Sequence, residues 1–169
     1  FVIDCTWNKI FENKNFFYEP TMILKYKNMK KINFGLTIMD GKLCSLFPFD
    51  ESSTTLSDVE LTPLGKFKSA KEAYERINKF DKDEISERIS NMETKIKKFL
   101  PGFDDYFCEP ETYFSIKTKP INSFNDNRYT YLIKEKTNIF SVFAGKIDTI
   151  FDIEYSILSI LENNTFMVS

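Results

Sequence analysis

NIFSVFAGKIDTIFDIEYSIL, residues 138–158, joins an apolar strand to an amphipathic helix through a single glycine. The run 138–144 has the composition of a buried strand, and apolar residues recur at helical spacing from residue 150 onward. Gly145 lets a ligand approach the backbone closely, and Asp148 is a candidate N-cap. A turn of this kind can direct free N–H groups at an anion or a cofactor. The alternative is an ordinary strand-to-helix turn capped by Asp148.

The first residues of the chain predict a second buried strand. FVIDCT, residues 1–6, is apolar and has the pattern of a strand with neighbours on both sides. DCTWN, residues 4–8, ends it with small polar residues and the chain's single tryptophan. The carboxyl ends of parallel strands are where open α/β sheets bind cofactors. Alternatively, Trp7 is a core or interface anchor.

The residues between these two strands predict an antiparallel sheet with helices. Alternation and turn residues indicate a meander over 20–65, and Ser69 with Glu72 has the spacing of a capping box. A second apolar helical face runs over 85–99 and ends at LPGF, after which strand patterns return. The predicted fold class is α+β: an antiparallel β-sheet with helices packed on one face, flanked by parallel-type strands and a C-terminal helix.

Composition excludes several classes of function. The formal net charge is −2, so the basic field that most nucleic-acid binders need is absent, and the apolar runs are too short for a membrane helix. Three cysteines without a CxxC pattern predict free thiols in a reducing, cytoplasmic compartment. The sequence has no histidine, which excludes Ser-His-Asp and Cys-His catalysis and histidine metal sites. Carboxylates, lysine, tyrosine or a bound cofactor are left to carry catalysis.

The strand ETYFSIKTKP, residues 111–120, contains candidate substrate ligands. Alternation places Tyr113, Lys117 and Lys119 on one face, where two ammonium groups and a phenol could clamp a carboxylate or phosphate. Arg128, after the polar loop that follows, is a candidate for bidentate anion binding. The alternative is that the two lysines belong to a solvated sheet face and that Arg128 lies on a loop surface.

Taken in order, these motifs carry a family resemblance. FVIDCTWN, YEPTMILKYK, LTIMDGKLCSLFPFD, the helical pair ending in LPGF, YFSIKTKP and FAGKIDTIFDIE resemble the carboxyl-terminal part of FAD-dependent oxidoreductases related to D-amino-acid and glycine oxidases. Within that group the similarity points to bacterial proteins of sugar or surface-polysaccharide biosynthesis. The resemblance implies a Rossmann-like FAD domain interrupted by a substrate domain. Residues 1–10 would end an FAD-domain strand, 11–136 would bind substrate, and 137–169 would complete the FAD domain.

The resemblance also implies roles for particular residues. Those expected near the dinucleotide or the flavin ring are Cys5, Thr6, Trp7, Gly145, Lys146, Ile147 and Asp148. Lys119, before Pro120, occupies the position of the family's arginine that holds a substrate carboxylate. Lysine lacks the bidentate fork of arginine, so an amino-acid substrate is not favoured.

One family motif is absent from the sequence. No GxGxxG fingerprint occurs, so the chain cannot complete a dinucleotide site by itself. We expect its partners to be a small-molecule substrate, an N-terminal FAD-binding segment and, through exposed strand edges, a second copy in a homodimer. The alternative function is a non-catalytic α+β module that binds a ligand or a protein.

Overall fold

The computed structural model describes residues 1–39, 44–121, 130–143 and 151–165, with side chains described as far as residue 162. The chain divides into two compact units. The terminal unit contains Phe1–Tyr18 and Thr118–Ser169, and the inserted unit contains Glu19–Lys117. The boundaries fall inside two long strands, and they differ from the predicted boundaries after residues 10 and 136. The difference arises because residues 131–136 pair with the last strand of the chain, within the terminal unit.

The terminal unit is built on a three-stranded sheet. Its strands are β1 (Val2–Asp4), β7 (Tyr131–Lys136) and β8 (Ile139–Phe143), in the order β1-β8-β7. β1 and β8 are parallel, and β7 and β8 form an antiparallel hairpin. Helix α3, Glu154–Thr165, follows later in the chain. The predicted parallel character of β1 and β8 is confirmed.

The prediction that β1 is buried is wrong. Among the described strands β1 pairs only with β8 and forms an edge of the sheet, so Val2 is 55% exposed and Ile3 is 36% exposed. An apolar run indicates that a strand is suited to burial, but its neighbours decide whether it is buried. Helix α3 likewise exposes Tyr155 and Leu158.

The inserted unit is built on a five-stranded sheet of order β3-β4-β5-β2-β6. Its strands are β2 (Phe16–Asn28), β3 (Leu36–Thr37), β4 (Cys44–Asp50), β5 (Ser53–Asp58) and β6 (Phe107–Pro120). The pairs β3–β4, β4–β5 and β5–β2 are antiparallel, as the meander predicted. The strand expected from INFGLTIMDG is only two residues long in the described part of the chain.

Two helices cover one face of this sheet. Helix α1, Ala70–Asn78, begins at the predicted capping box, in which Ser69 Oγ accepts from the Glu72 amide and Glu72 accepts from the Ser69 amide. Helix α2, Lys82–Lys97, is capped by Asp81. A short 3-10 helix, Phe103–Asp105, follows it. The α+β class is confirmed.

The core lies between the helices and the sheet. Met92 and Ile96 of α2 are buried in one cluster with residues from three neighbouring strands, which are Met22, Leu24, Tyr26, Cys44, Leu46 and Leu56. Alternate residues of the same strands, such as Ile23 and Lys25, point to the opposite face, which we call the open face. None of the helices in the described ranges combines the length and apolarity needed to cross a bilayer.

Candidate functional site

The first candidate site lies at the carboxyl ends of β1 and β8. Asp4, the last residue of β1, is the register partner of Ser141 in β8. Asp4 is 6% exposed; its Oδ2 accepts from Ser141 Oγ at 3.3 Å, and its Oδ1 accepts from the Thr6 amide at 2.9 Å. The carboxylate therefore joins the two strands and fixes the start of the turn after β1. We call the group of residues Asp4, Thr6, Trp7, Ser141 and Phe143 the strand-end site.

The turn that follows β1 has an unusual backbone. Trp7 and Asn8 both adopt the left-handed region, with φ values of 58° and 66°. Asparagine tolerates this region, whereas a bulky residue such as tryptophan rarely adopts it. Such conformations persist where surrounding contacts hold them, and they are frequent at functional sites.

Trp7 presents its ring at the strand-end site. The side chain is 52% exposed and meets the Phe143 ring edge-on, with 5.8 Å between the ring centroids. Its carbonyl accepts a hydrogen bond from Thr118 Oγ1 at 3.1 Å. Phe143 in turn stacks on Phe16 at 4.1 Å. Within the described residues, the indole is thus supported from one side by a packed aromatic pair and is about half exposed.

The structure places only some of the predicted cofactor residues. Cys5 and Thr6 are exposed directly after β1, beside Trp7, and the Cys5 thiol is free. The other four predicted residues, Gly145, Lys146, Ile147 and Asp148, lie outside the described residues. Sequence reasoning did not single out Asp4, Asn8 or Ser141. The available signals were the polar end of β1 at Asp4 and the lone serine inside the otherwise apolar β8.

The second candidate site is the open face of the inserted sheet. Tyr113 and Lys117 are exposed at alternate positions of β6, with half-buried Ile116 and Phe114 pointing the other way. The predicted sharing of a face is confirmed for these two. Lys119 is half-buried beyond the unit boundary, and Arg128 lies outside the described residues.

Lys25 of β2 connects the groups on this face. Its Nζ lies 4.5 Å from the Phe49 ring centroid, 5.6 Å from the Tyr113 centroid and 3.8 Å from Asp50 Oδ2. Phe49 reaches this position because the β4–β5 register shifts between Pro48 and Asp50. Together with exposed Phe47, these side chains make an aromatic surface around one ammonium group.

Charges on the open face occur in pairs. Hydrogen bonds from Ser53 and Ser52 lower the pKa of Asp50 to about 2, so its carboxylate stays ionised beside Lys25 at ordinary pH. Lys27 pairs with Glu109 at 3.7 Å. A cavity of about 260 Å³ adjoins them and is lined by Lys25, Tyr26, Lys27, Ser52, Ser53, Glu109 and Glu111. The pairing leaves little net charge to attract an anion.

Comparison with known proteins identifies a homologue. The chain is 34% identical over 167 residues to the FAD-dependent monooxygenase FPY4 of Fusarium mangiferae, covering 98% of the chain and 44% of that protein. It also shares its fold with a crystal structure of an FAD-dependent oxidoreductase from Pseudomonas aeruginosa, with a TM-score of 0.53 and 12% identity over 91% of the chain and 40% of that protein. No model of a known protein family matches the chain.

The chain therefore spans less than half the length of both proteins. The resemblance to FAD-dependent oxidoreductases is confirmed at this general level. The narrower relationship to D-amino-acid and glycine oxidases stays a prediction.

Proposed function

We propose that this chain is the substrate-binding portion of an FAD-dependent oxidoreductase, together with the strand and helix that complete its FAD domain. One observation carries the proposal: β1 and β8 pair in parallel although Asp4 and Ser141 are 137 residues apart. The entire inserted unit lies between them in sequence. A parallel strand pair whose two strands are separated in sequence by an antiparallel sheet agrees with the organisation that the sequence resemblance implies. The similarity to a longer FAD-dependent protein supports it.

The strand-end site fits the ring of a flavin. It offers an exposed indole and a backbone turn at the carboxyl end of a parallel strand. Cys5, Thr6 and Trp7 would contact the cofactor, with the segment Gly145–Asp148 after β8. FAD supplies the redox chemistry, since its ring accepts a hydride from a C–H bond beside an amine or hydroxyl. The pyrophosphate would be held by an N-terminal FAD-binding segment, because this sequence has no GxGxxG.

The open face would bind the substrate. Tyr113 would hydrogen-bond a polar group, and Phe47 and Phe49 would cover an apolar surface of the substrate and exclude water. Lys117 would supply an anion contact on this face, and the anion-binding roles expected for Lys119 and Arg128 stay predictions. Because Lys25 is paired with Asp50, the face favours a neutral substrate over an amino-acid carboxylate. A role in sugar or polysaccharide biosynthesis rests on the sequence resemblance alone.

A second reaction class is favoured by the homologue, whose name describes a monooxygenase. In that reaction an external two-electron donor, such as a reduced nicotinamide, supplies the electrons; one atom of dioxygen enters the substrate, and the other leaves as water with two protons. The two classes differ in a measurable product, because substrate oxidation with dioxygen as acceptor yields hydrogen peroxide. Analysis of product made under ¹⁸O₂ distinguishes them.

Anaerobic reduction of the full-length protein tests the proposed function. Candidate amines, alcohols and sugars are mixed with the protein in the absence of oxygen, and loss of visible flavin absorption identifies a substrate. We expect Tyr113→Phe to raise the substrate concentration needed for half-maximal bleaching, whereas Tyr74→Phe, an exposed tyrosine on α1, should not. A protein that never carries flavin would instead support the non-catalytic module.

The exposed edge of β1 is a candidate surface for association with a second copy of the chain. We propose that in the isolated chain it pairs with a second copy, because β1 is an edge strand among the described strands and an apolar edge is a template for strand addition. Sedimentation of the isolated chain and of the full-length protein tests this. A monomeric isolated chain would contradict it.

A further inference from the structure

We propose that Asn8 is a positioning residue that holds the Trp7 indole exposed at the strand-end site. The position of the indole follows from the described contacts alone. The statement that the indole contacts a flavin rests on the function proposed above.

The Asn8 side chain is buried, and both its amide nitrogen and its amide oxygen form hydrogen bonds. It is 4% exposed; its Nδ2 donates to the Asn13 carbonyl at 3.1 Å and to Tyr18 Oη at 3.0 Å. Its Oδ1 accepts from the Asn13 amide at 2.6 Å. Tyr18 Oη donates in turn to the Asn8 carbonyl at 2.7 Å. One side chain therefore closes the loop 8–13 and ties it to β2.

This network stabilises the strained residue beside it. Trp7 has a φ of 58°, which a free tryptophan residue would rarely adopt. Asn8 also has a left-handed φ, and its side chain and carbonyl are both anchored, so the peptide that joins the two residues has a fixed direction. On its other side, the Trp7 carbonyl accepts a hydrogen bond from Thr118 Oγ1. The backbone of Trp7 is thereby held from both sides.

The side chain held in this way is exposed. A tryptophan ring is mostly buried in folded proteins, since burial removes a large apolar surface from water. Here the buried, hydrogen-bonded residue is Asn8, and the exposed residue is Trp7. Buried polar networks specify one conformation when every member is satisfied. We infer that the network maintains the orientation of the indole toward a ligand.

The single tryptophan gives a direct measurement of this inference. In the isolated chain all tryptophan fluorescence comes from Trp7. Asn8→Gly permits the left-handed backbone but removes the three side-chain hydrogen bonds, so we expect lower fluorescence anisotropy and a changed acrylamide quenching constant. Asn8→Asp keeps the Oδ1 acceptor and should restore part of the anisotropy. Tyr18→Phe removes one hydroxyl and should likewise lower the fluorescence anisotropy.

Asn13→Ala is the matched control. Asn13 contacts Asn8 only through backbone atoms, and its side chain accepts from the Asn15 amide, so the substitution leaves the Asn8 bonds in place. Its anisotropy should equal that of the wild type. Circular dichroism of each variant checks folding, and Tyr18→Phe provides the test if Asn8→Gly does not fold. Wild-type anisotropy in the folded Asn8 or Tyr18 variants, or an equal loss in Asn13→Ala, would overturn the inference.

A second experiment distinguishes failure of this inference from failure of the proposed function. In the full-length protein, Asn8→Gly should shift the visible spectrum of bound FAD or lower its occupancy, and Asn13→Ala should do neither. If the full-length protein binds no flavin but Asn8→Gly still loosens the indole, the positioning role stands and the flavin role fails. If flavin binds and Asn8→Gly leaves the indole unchanged, the positioning role fails and the flavin role stands.

Discussion

Ser141 donates a hydrogen bond to the buried carboxylate of Asp4, and this contact joins the carboxyl ends of two parallel strands from opposite ends of the chain. Both side chains are nearly inaccessible to solvent. The contact therefore couples the stability of the terminal unit to the geometry of the strand-end site.

Ser141→Ala should destabilise the chain. A hydrogen bond to a charged group contributes about 1.5–3 kcal/mol, so we expect a loss of about 2 kcal/mol in the free energy of unfolding. Urea unfolding measures it. Ser86→Ala, on the exposed side of α2, is the control and should change the free energy by less than about 0.5 kcal/mol. Equal stability of the two variants would show that the Asp4–Ser141 contact does not stabilise the fold.

Adjacent residues of β4 should separate stability from binding. Leu46 is buried against the helices, and truncation to alanine leaves a cavity, so Leu46→Ala should cost about 2–5 kcal/mol of unfolding free energy. Phe47 is exposed on the open face, so Phe47→Ala should leave stability nearly unchanged and weaken substrate binding in the full-length protein. Thermal unfolding and substrate titration measure the two effects. A large stability loss in Phe47→Ala would mean that its ring belongs to the core.

Lys95 of α2 forms an ion pair with Asp58, whose side chain is 1% exposed. Asp58 also accepts from the amides of Glu60 and Leu61, which fixes the turn after β5. Lys95→Met leaves this carboxylate buried without its cation and should cost about 3–5 kcal/mol. Asp58→Asn combined with Lys95→Met should recover part of that loss in urea unfolding. If the double variant is no more stable than Lys95→Met, the uncompensated charge is not the cause.

Asp50 should make stability depend on pH below about 4. Its pKa in the folded chain is lowered from 3.8 to about 2 by hydrogen bonds from Ser53 and Ser52. Because the folded pKa is the lower one, the stabilisation is present above pH 4 and is lost as the pH falls toward 2. The urea midpoint of Asp50→Asn should vary less with pH over this range than that of the wild type. Glu87→Gln, on α2, should retain the contribution of Asp50. If the urea midpoint of Asp50→Asn varied with pH as much as that of the wild type, the pH dependence would arise from other titratable groups.

The sequence predicted features that depend on nearby residues. The capping box of Ser69 and Glu72 is formed within one helical turn, and it was identified from spacing alone. The alternation of β6 placed Tyr113 and Lys117 on one face because a strand has a period of two. The structure confirms both of these features.

The features that were missed depend on residues distant in sequence or on neighbouring strands. Trp7 was recognised, but the role of Asn8 requires Tyr18, which lies ten residues away. Lys25 was overlooked because its partners Phe49 and Tyr113 come from two other strands, and Phe49 reaches it through a register shift. The exposure of β1 was missed because it follows from the order of strands in the sheet.

The central claim is that this chain belongs to a flavoprotein and contributes to its cofactor site. The most direct test is the flavin content of the purified full-length protein, compared with that of its Trp7→Ala variant. We predict one FAD per wild-type protein, identified after release by chromatography, and a lower content or a shifted visible spectrum in the variant. A full-length protein that contains no flavin, or a variant whose content and spectrum equal those of the wild type, would contradict the account.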